Sequence, residues 1–154
     1  MENGYAPVNG LQMYYESHGS GQPLILLHGG AGSTGMFDAI LPILGQGRRV
    51  ITADLQAHGR TADIDRPLRY ELFGDDVAAL AAHLKLGKVD LMGYSLGAGA
   101  VLRAAIQHPE IVRKLVIVST TFSRNGWFPE VREAMSRGRP EDAEMMKQSS
   151  IYAN

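Results

Sequence analysis

The sequence predicts an α/β fold with a mostly parallel sheet, and three observations support this prediction. Short apolar runs alternate with segments of helical periodicity along most of the chain. The run at residues 23–27 is continuous, which is typical of a strand buried on both faces of a parallel sheet. The pair Asn9-Gly10 is a strong turn signal and predicts an antiparallel hairpin at the N-terminus. We therefore expect about six strands flanked by helices.

The predicted elements follow one another in a regular order. Strands are predicted at residues 5–8, 11–16, 23–27, 49–53, 89–92 and 114–119. Helices are predicted at residues 36–44, 71–85, 98–107, 130–137 and 141–147. Gly87 is expected to end the second helix, and Pro109 follows the third. No strand pattern returns after residue 122, so we divide the chain into residues 1–122 and 123–154.

The composition excludes several classes of protein. The chain has 154 residues, a net charge of −1 and no cysteine. The small net charge argues against a nucleic acid or membrane partner, and the lack of cysteine excludes disulfides and thiolate chemistry. No apolar run approaches the ~20 residues of a membrane span, and the N-terminus lacks a signal-peptide pattern. No metal-ligand spacing is present. We expect a cytoplasmic protein that uses no cofactor or metal and binds a small-molecule substrate.

The segment Gly93-Tyr94-Ser95-Leu96-Gly97 carries the strongest chemical signal. It lies between a predicted strand and a predicted helix, the context that a nucleophile elbow requires. Small residues at Gly93 and Gly97 suit such a sharp turn, and Ser95 would lie at a helix N-terminus that favours developing negative charge. The alternative interpretation is a glycine-rich turn without a chemical role.

A second glycine-rich loop, residues 28–35, follows the strand at residues 23–27. Its backbone could supply one of the two N–H donors of an oxyanion hole. The N–H groups of Gly30 and Leu96 are the natural pair, with Ala31 as the alternative to Gly30. A phosphate-binding loop is the competing interpretation, but the loop has neither of the known phosphate-binding spacings.

Three segments in this order resemble the α/β-hydrolase superfamily, in the branch with esterases, cofactor-free haloperoxidases, proline iminopeptidases and carbon–carbon bond hydrolases. The segments are residues 25–30, 54–61 and 93–97. The resemblance reaches from the first hairpin to about Trp127 and covers only the first half of a family domain. It implies that residues 1–122 form part of the core and that residues 123–154 begin a cap.

The resemblance also implies roles for individual residues. Ser95 would be the nucleophile, and the N–H groups of Gly30 and Leu96 would form the oxyanion hole. Supporting roles fall to His28, Gly29, Gly93 and Gly97, and substrate contacts are expected from Ala31, Tyr94 and Trp127. The segment at residues 54–61 is mainly structural in the family, which usually has glycine where this chain has Ala57.

Two expected parts of the site are missing from the sequence. In this fold the catalytic acid and histidine follow the serine in the chain. The only histidine after Ser95 is His108, at the far end of the same predicted helix and roughly 20 Å away. The family sheet also has eight strands, and two are lacking here. We therefore expect a fragment, with an apolar edge strand at residues 114–119 through which copies could associate.

Three functional hypotheses follow from these observations. The first is a hydrolase (EC 3) that cleaves an ester, amide or activated carbon–carbon bond through Ser95, with the 154-residue chain itself inactive. The second is a non-catalytic ligand-binding or interaction module of the same fold. The third is half of a two-chain assembly. The intact serine turn and oxyanion loop favour the first hypothesis for the parent protein.

Overall fold

The computed structural model describes residues 2–137. Its strands are β1 (Glu2–Val8), β2 (Leu11–Gly19), β3 (Gln22–Leu27), β4 (Arg48–Ala53), β5 (Val89–Tyr94) and β6 (Val112–Val118). Its α-helices are α1 (Leu41–Leu44), α2 (Tyr70–His83), α3 (Leu96–Gln107) and α4 (Pro129–Arg137). Short 3-10 turns occur at Thr34–Phe37, Pro109–Ile111 and Arg124–Gly126.

The six strands form one mixed sheet in the order β1-β2-β4-β3-β5-β6. Strand β2 pairs antiparallel with β1 and β4, whereas β4, β3, β5 and β6 run parallel to one another. The carboxyl ends of the four parallel strands therefore meet at one edge. The predicted fold class and N-terminal hairpin are confirmed.

The hairpin between β1 and β2 turns at the predicted pair. Asn9 and Gly10 have φ values of 47° and 88°, as the preferred two-residue hairpin turn requires. The amide of Asn9 also donates a hydrogen bond of 2.9 Å to the carboxylate of Asp76 in α2. The turn therefore anchors the hairpin to the helical layer.

Two helix predictions are wrong in detail. The helix predicted at residues 36–44 divides into the 3-10 turn Thr34–Phe37 and the four-residue α1, since Pro42 lacks the N–H that would continue the helix. Gly87 does not end α2. Lys85 takes the left-handed conformation instead (φ 52°), and the Leu86 N–H donates to the carbonyl of Ala81 at 3.0 Å.

Both faces of β3 are covered, which explains the continuous apolar run in this strand. Ile25 and Leu27 belong to the larger core, together with residues of α2 and α3. Leu24 and Leu26 belong to a smaller core with Phe37, Leu41 and Val50. Alternate side chains of one strand therefore enter opposite cores.

Strand β6 lies at the edge of the sheet, as predicted for the last strand. Val116 and Ile117 are 46% and 38% exposed, unlike the buried residues of β3. An exposed apolar strand with an unpaired edge can pair with another chain. Association of copies through this edge stays a prediction.

The chain forms two compact units, Met1–Thr120 and Thr121–Asn154. The described part of the second unit contains the turn Arg124–Gly126, in which the Gly126 N–H donates to the Ser123 carbonyl (3.1 Å), and α4, which confirms the helix predicted at residues 130–137. The helix predicted at residues 141–147 lies outside the described residues, and assignment of residues 123–154 to a cap stays a prediction. No helix among residues 2–137 is long and apolar enough to cross a membrane.

Candidate active site

The candidate site lies at the carboxyl ends of β3, β5 and β6, which are neighbours in the sheet. Ligands of open α/β sheets bind at this edge because the loops that leave parallel strands converge there. The loop at residues 28–32 follows β3, and the segment at residues 93–97 joins β5 to α3. The fold therefore brings together the two glycine-rich segments that the sequence predicts to act together.

Ser95 occupies a strained turn between β5 and α3. Its φ and ψ are 50° and −110°, a region that side-chain-bearing residues rarely adopt. Backbone hydrogen bonds hold it on both sides, because its N–H donates to the Val118 carbonyl (2.9 Å) and its carbonyl accepts from the Gly99 N–H (3.1 Å). Such over-determined strain is common at functional sites.

The two glycines that flank Ser95 are required by close backbone contacts. A Cβ atom at Gly93 would overlap the carbonyl oxygen of Gly97. A Cβ atom at Gly97 would overlap the Leu27 carbonyl and would lie 2.5 Å from the oxygen of His28. The predicted need for small residues at both positions is confirmed. At Gly97 this need arises from the approach of α3 to the end of β3, and at Gly93 it arises from the tightness of the turn itself.

The loop after β3 is fixed directly against the serine turn. The Gly97 N–H donates to the carbonyl of His28 at 2.9 Å, and the Gly32 N–H closes a tight turn on the Gly29 carbonyl at 3.1 Å. A Cβ atom at Gly29 would lie 2.9 Å from the Tyr94 ring and 3.4 Å from the Cβ of Ser95. The loop backbone therefore packs against the residues on which Ser95 sits.

His28 is a scaffold residue of this loop. Its ring is fully buried, with Nδ1 2.7 Å from the Gly29 carbonyl and Nε2 3.1 Å from the Leu55 N–H. These partners require the neutral tautomer in which Nδ1 donates and Nε2 accepts. Burial lowers the pKa of His28 from its usual 6.5, although the hydrogen bond to Gly29 acts in the opposite direction. Both ring nitrogens are thus occupied by structural hydrogen bonds.

Leu96 offers a backbone donor beside Ser95. It is the first residue of α3, and its N–H has no acceptor among residues 2–137, as expected in the first turn of a helix. The partial positive charge of the helix N-terminus adds to the attraction for an anion. The second predicted donor, Gly30, is half-buried in the loop after β3, and the alternative, Ala31, is exposed with φ 59°.

The segment at residues 54–61 is held by hydrogen bonds to the loops around the site. The buried carboxylate of Asp54 accepts hydrogen bonds from the N–H groups of Thr34 (2.6 Å) and Arg60 (2.8 Å). It thereby ties the loop after β4 to the start of the 3-10 turn Thr34–Phe37. Ala57 has φ 62°, which explains why glycine suits this position. The structural role predicted for this segment is confirmed.

No histidine is in place to activate Ser95. The serine hydroxyl makes no hydrogen bond within residues 2–137, which include all five histidines of the chain. His58 donates from Nδ1 to the Gln56 carbonyl (2.8 Å), and its ring lies against that of His28. His108, beyond the far end of α3, lies 2.8 Å from the Asp75 carboxylate.

The other two histidines are His18 and His83. His83 is exposed. His18 is half-buried, and its Nε2 lies 3.3 Å from the Glu16 carboxylate. Neither forms a hydrogen bond to Ser95.

The residues predicted to touch substrate fall in different places. Tyr94 directly precedes Ser95 and packs against Gly29, Ala31 lies in the loop after β3, and Trp127 belongs to the second unit. Contact of these residues with substrate stays a prediction. Among the described residues, no group of three or more histidine or acidic side chains could hold a metal ion.

Sequence reasoning missed the carbonyl of Val118 as the acceptor for the Ser95 N–H, because a backbone carbonyl carries no residue-type signal.

The sheet order and the strained serine turn define a class of protein, the α/β hydrolases. Residues 22–149 match the family model described as alpha/beta hydrolase fold. The chain belongs to this family, which confirms the resemblance of the three sequence segments.

Several relatives show the breadth of the family around this chain. It is 32% identical over 150 residues to 2-hydroxymuconate semialdehyde hydrolase of Pseudomonas sp. (strain CF600), which covers 94% of this chain and 52% of the relative. It is 31% identical over 160 residues to proline iminopeptidase of Lactobacillus helveticus, with 98% and 54% covered. The chain thus spans about half the length of these two relatives. It spans 36% of a third, the sn-1-specific diacylglycerol lipase ABHD11 of Danio rerio, at 34% identity over 115 residues and 73% of this chain.

A solved structure agrees with this placement. A thermophilic esterase from Thermogutta terrifontis superposes with a TM-score of 0.81 at 25% identity, covering 98% of this chain and 58% of the esterase. Nearly the whole chain therefore corresponds to somewhat more than half of a known hydrolase structure.

Proposed function

We propose that the protein containing this chain is a serine hydrolase that cleaves an ester, amide or activated carbon–carbon bond through an acyl-enzyme on Ser95. The observation that carries the proposal is the strained conformation of Ser95 at the start of α3. Close packing of Gly93 and Gly97 maintains this conformation. Membership of the α/β hydrolase family supports the reaction class.

The reaction would proceed through two acyl-transfer steps. A base takes the hydroxyl proton of Ser95 while Oγ attacks the substrate carbonyl carbon, and the carbonyl oxygen becomes an oxyanion. The N–H groups of Leu96 and Gly30 are proposed to donate hydrogen bonds to this oxyanion. The bond to the leaving group then breaks, the leaving group takes the proton, and water hydrolyses the acyl-serine to release the acid.

We further propose that residues 1–154 alone turn over little substrate. The five histidines of the chain are the natural bases, and none forms a hydrogen bond to Ser95. A serine hydroxyl without a base is a poor nucleophile at neutral pH. In the family the acid and histidine follow the serine, so the protein at its natural length would supply both.

The test is the intact mass of the protein after incubation with a fluorophosphonate probe. Two forms are compared, the protein at its natural length and residues 1–154 alone, each with Ser95→Ala as the matched variant. We expect a stoichiometric adduct on the natural-length protein that disappears with Ser95→Ala, and no adduct on residues 1–154. Circular dichroism and cooperative urea unfolding establish that each sample is folded.

Each outcome separates two hypotheses. An adduct that persists in Ser95→Ala would place the nucleophile elsewhere and contradict the proposal. An adduct on residues 1–154 that Ser95→Ala removes would show that a base exists within this chain. A folded natural-length protein without an adduct would favour the non-catalytic ligand-binding module, which the missing base beside Ser95 also allows.

A further inference from the structure

Six residues other than glycine have positive φ among residues 2–137, and local hydrogen bonds account for four of them. Asn9 lies in the β1–β2 hairpin, and Lys85 follows α2 in a hydrogen-bonded helix cap. Ala31 and Ala57 each occupy the third position of a four-residue turn, closed by Gly32 to Gly29 (3.1 Å) and by His58 to Leu55 (3.0 Å). The remaining two are Ser95 and Ser119.

The positive φ of Ser119 is less expected than that of Ser95, which lies in the turn between β5 and α3. Its φ is 56°, yet no hydrogen-bonded turn or helix cap in the described part of the chain contains it. It directly follows Val118, whose carbonyl accepts the N–H of Ser95 at 2.9 Å, and Tyr94 is the register partner of Val118. Ser119 therefore lies beside Ser95 at the same edge of the sheet.

The side chain of Ser119 is available to a ligand. The residue is exposed, and its hydroxyl makes no hydrogen bond within residues 2–137. Strain in a residue without a local structural cause is most often found at binding and catalytic sites. A hydroxyl donates one hydrogen bond and accepts two, so it suits a polar group of a substrate.

The sheet order places Ser119 and the loop after β3 on opposite sides of Ser95. Strand β5, which carries Ser95, lies between β3 and β6. The loop with Gly30 follows β3, whereas Ser119 follows β6. If the carbonyl oxygen of a bound substrate points towards the loop after β3, the groups on the other side of the carbonyl carbon lie towards Ser119.

We propose that Ser119 is a specificity residue whose hydroxyl binds a polar group close to the scissile carbonyl, on the side away from the oxyanion donors. The preferred substrates would be acyl compounds with a hydroxyl or oxo group near the carbonyl carbon. This inference rests on the proposed function of Ser95.

The test compares two esters that differ by one hydroxyl group, p-nitrophenyl 3-hydroxybutanoate and p-nitrophenyl butanoate. The protein at its natural length is assayed with both esters, and the ratio of the two kcat/KM values is measured. One hydrogen bond corresponds to about a 3- to 10-fold preference for the hydroxy ester. Ser119→Ala and Ser119→Gly should both lower the ratio by that factor, and Ser119→Asn should retain most of it.

The three variants separate binding from backbone conformation. Ser119→Gly removes both the hydroxyl and the strain, whereas Ser119→Asn tolerates the left-handed conformation and still donates and accepts hydrogen bonds. Thr120→Ala, which removes the neighbouring hydroxyl, is the matched control and should leave the ratio unchanged. Urea unfolding of each variant identifies any that fail to fold.

The outcomes distinguish this inference from the proposed function. If Ser95→Ala abolishes hydrolysis and the Ser119 variants keep the wild-type ratio, the role of Ser119 is overturned and that of Ser95 stands. If hydrolysis survives Ser95→Ala, both are overturned. If the folded protein hydrolyses neither ester, the role of Ser119 is overturned, and fluorophosphonate labelling of Ser95 decides the proposed function. A loss of ratio in Ser119→Ala and Ser119→Gly with recovery in Ser119→Asn supports both.

Discussion

Replacing Gly97 by alanine tests the contact between α3 and the end of β3. The new Cβ would lie 2.5 Å from the carbonyl oxygen of His28, whereas ordinary contacts begin near 3.4 Å. It would also overlap the Leu27 carbonyl, so two backbone groups must move by about 0.9 Å or more. That movement also weakens the 2.9 Å hydrogen bond from the Gly97 N–H to His28.

The size of the effect follows from these two contributions. Forcing extra atoms into a packed region costs about 1–3 kcal/mol, and loss of the hydrogen bond adds about 1 kcal/mol. We expect Gly97→Ala to lower the free energy of unfolding by about 2–4 kcal/mol in urea titrations. It should also reduce the rate of fluorophosphonate labelling, because the loop carrying Gly30 moves away from Ser95.

Gly35→Ala is the matched control for this substitution. A Cβ atom at Gly35 would meet only side-chain atoms at 3.8 Å, and its φ is not positive. We expect its free energy of unfolding to stay within about 0.5 kcal/mol of the wild type. If Gly97→Ala were as stable as Gly35→Ala, the close packing of α3 on β3 would be refuted.

Three further substitutions probe the surroundings of the site. Ala57→Gly should raise the free energy of unfolding by about 0.5–1 kcal/mol in urea, because glycine adopts φ 62° without strain; a decrease would contradict this. Asp54→Asn should lower it by about 2–3 kcal/mol, since an amide cannot accept from both the Thr34 and Arg60 N–H groups; an unchanged value would refute the tie between the loops. In the folded protein the pKa of His28 is lowered, so as the pH falls His28 is protonated in the unfolded chain before it is protonated in the folded one. The free energy of unfolding should therefore decrease as the pH drops below about 6.5. His28→Gln should show a shallower decline in urea titrations between pH 7 and 5, and an identical slope would rule out His28 as its source.

The sequence was sufficient to predict the order of the elements and the serine turn. Apolar runs and the Asn9-Gly10 turn signal predict the strands, helical periodicity predicts the helices, and Gly93 and Gly97 mark the sharp passage from β5 into α3. These signals are local, since each depends on residue types within a few positions. The pairing of the two glycine-rich segments followed from the rule that parallel strands end at one edge.

Features that depend on backbone geometry could not be predicted. Lys85 and Ala57 adopt left-handed conformations that residue type disfavours, because surrounding hydrogen bonds and packing outweigh local propensity. The acceptor for the Ser95 N–H depends on the register between β5 and β6, which no side chain reports. Pro42 does carry a signal, because proline suits the first turn of a helix and interrupts a helix interior.

The hydrogen bond from Ser95 to Val118 links the serine turn to β6, the edge strand of the sheet that residues 2–137 form. An amide proton exchanges with solvent only when its hydrogen bond opens, and edge strands open more readily than central ones. The exchange rate of the Ser95 amide would therefore report how often β6 separates from β5. Anything that pairs with the outer edge of β6 should slow that exchange, so a single backbone proton links the opening of β6 to the positioning of the serine.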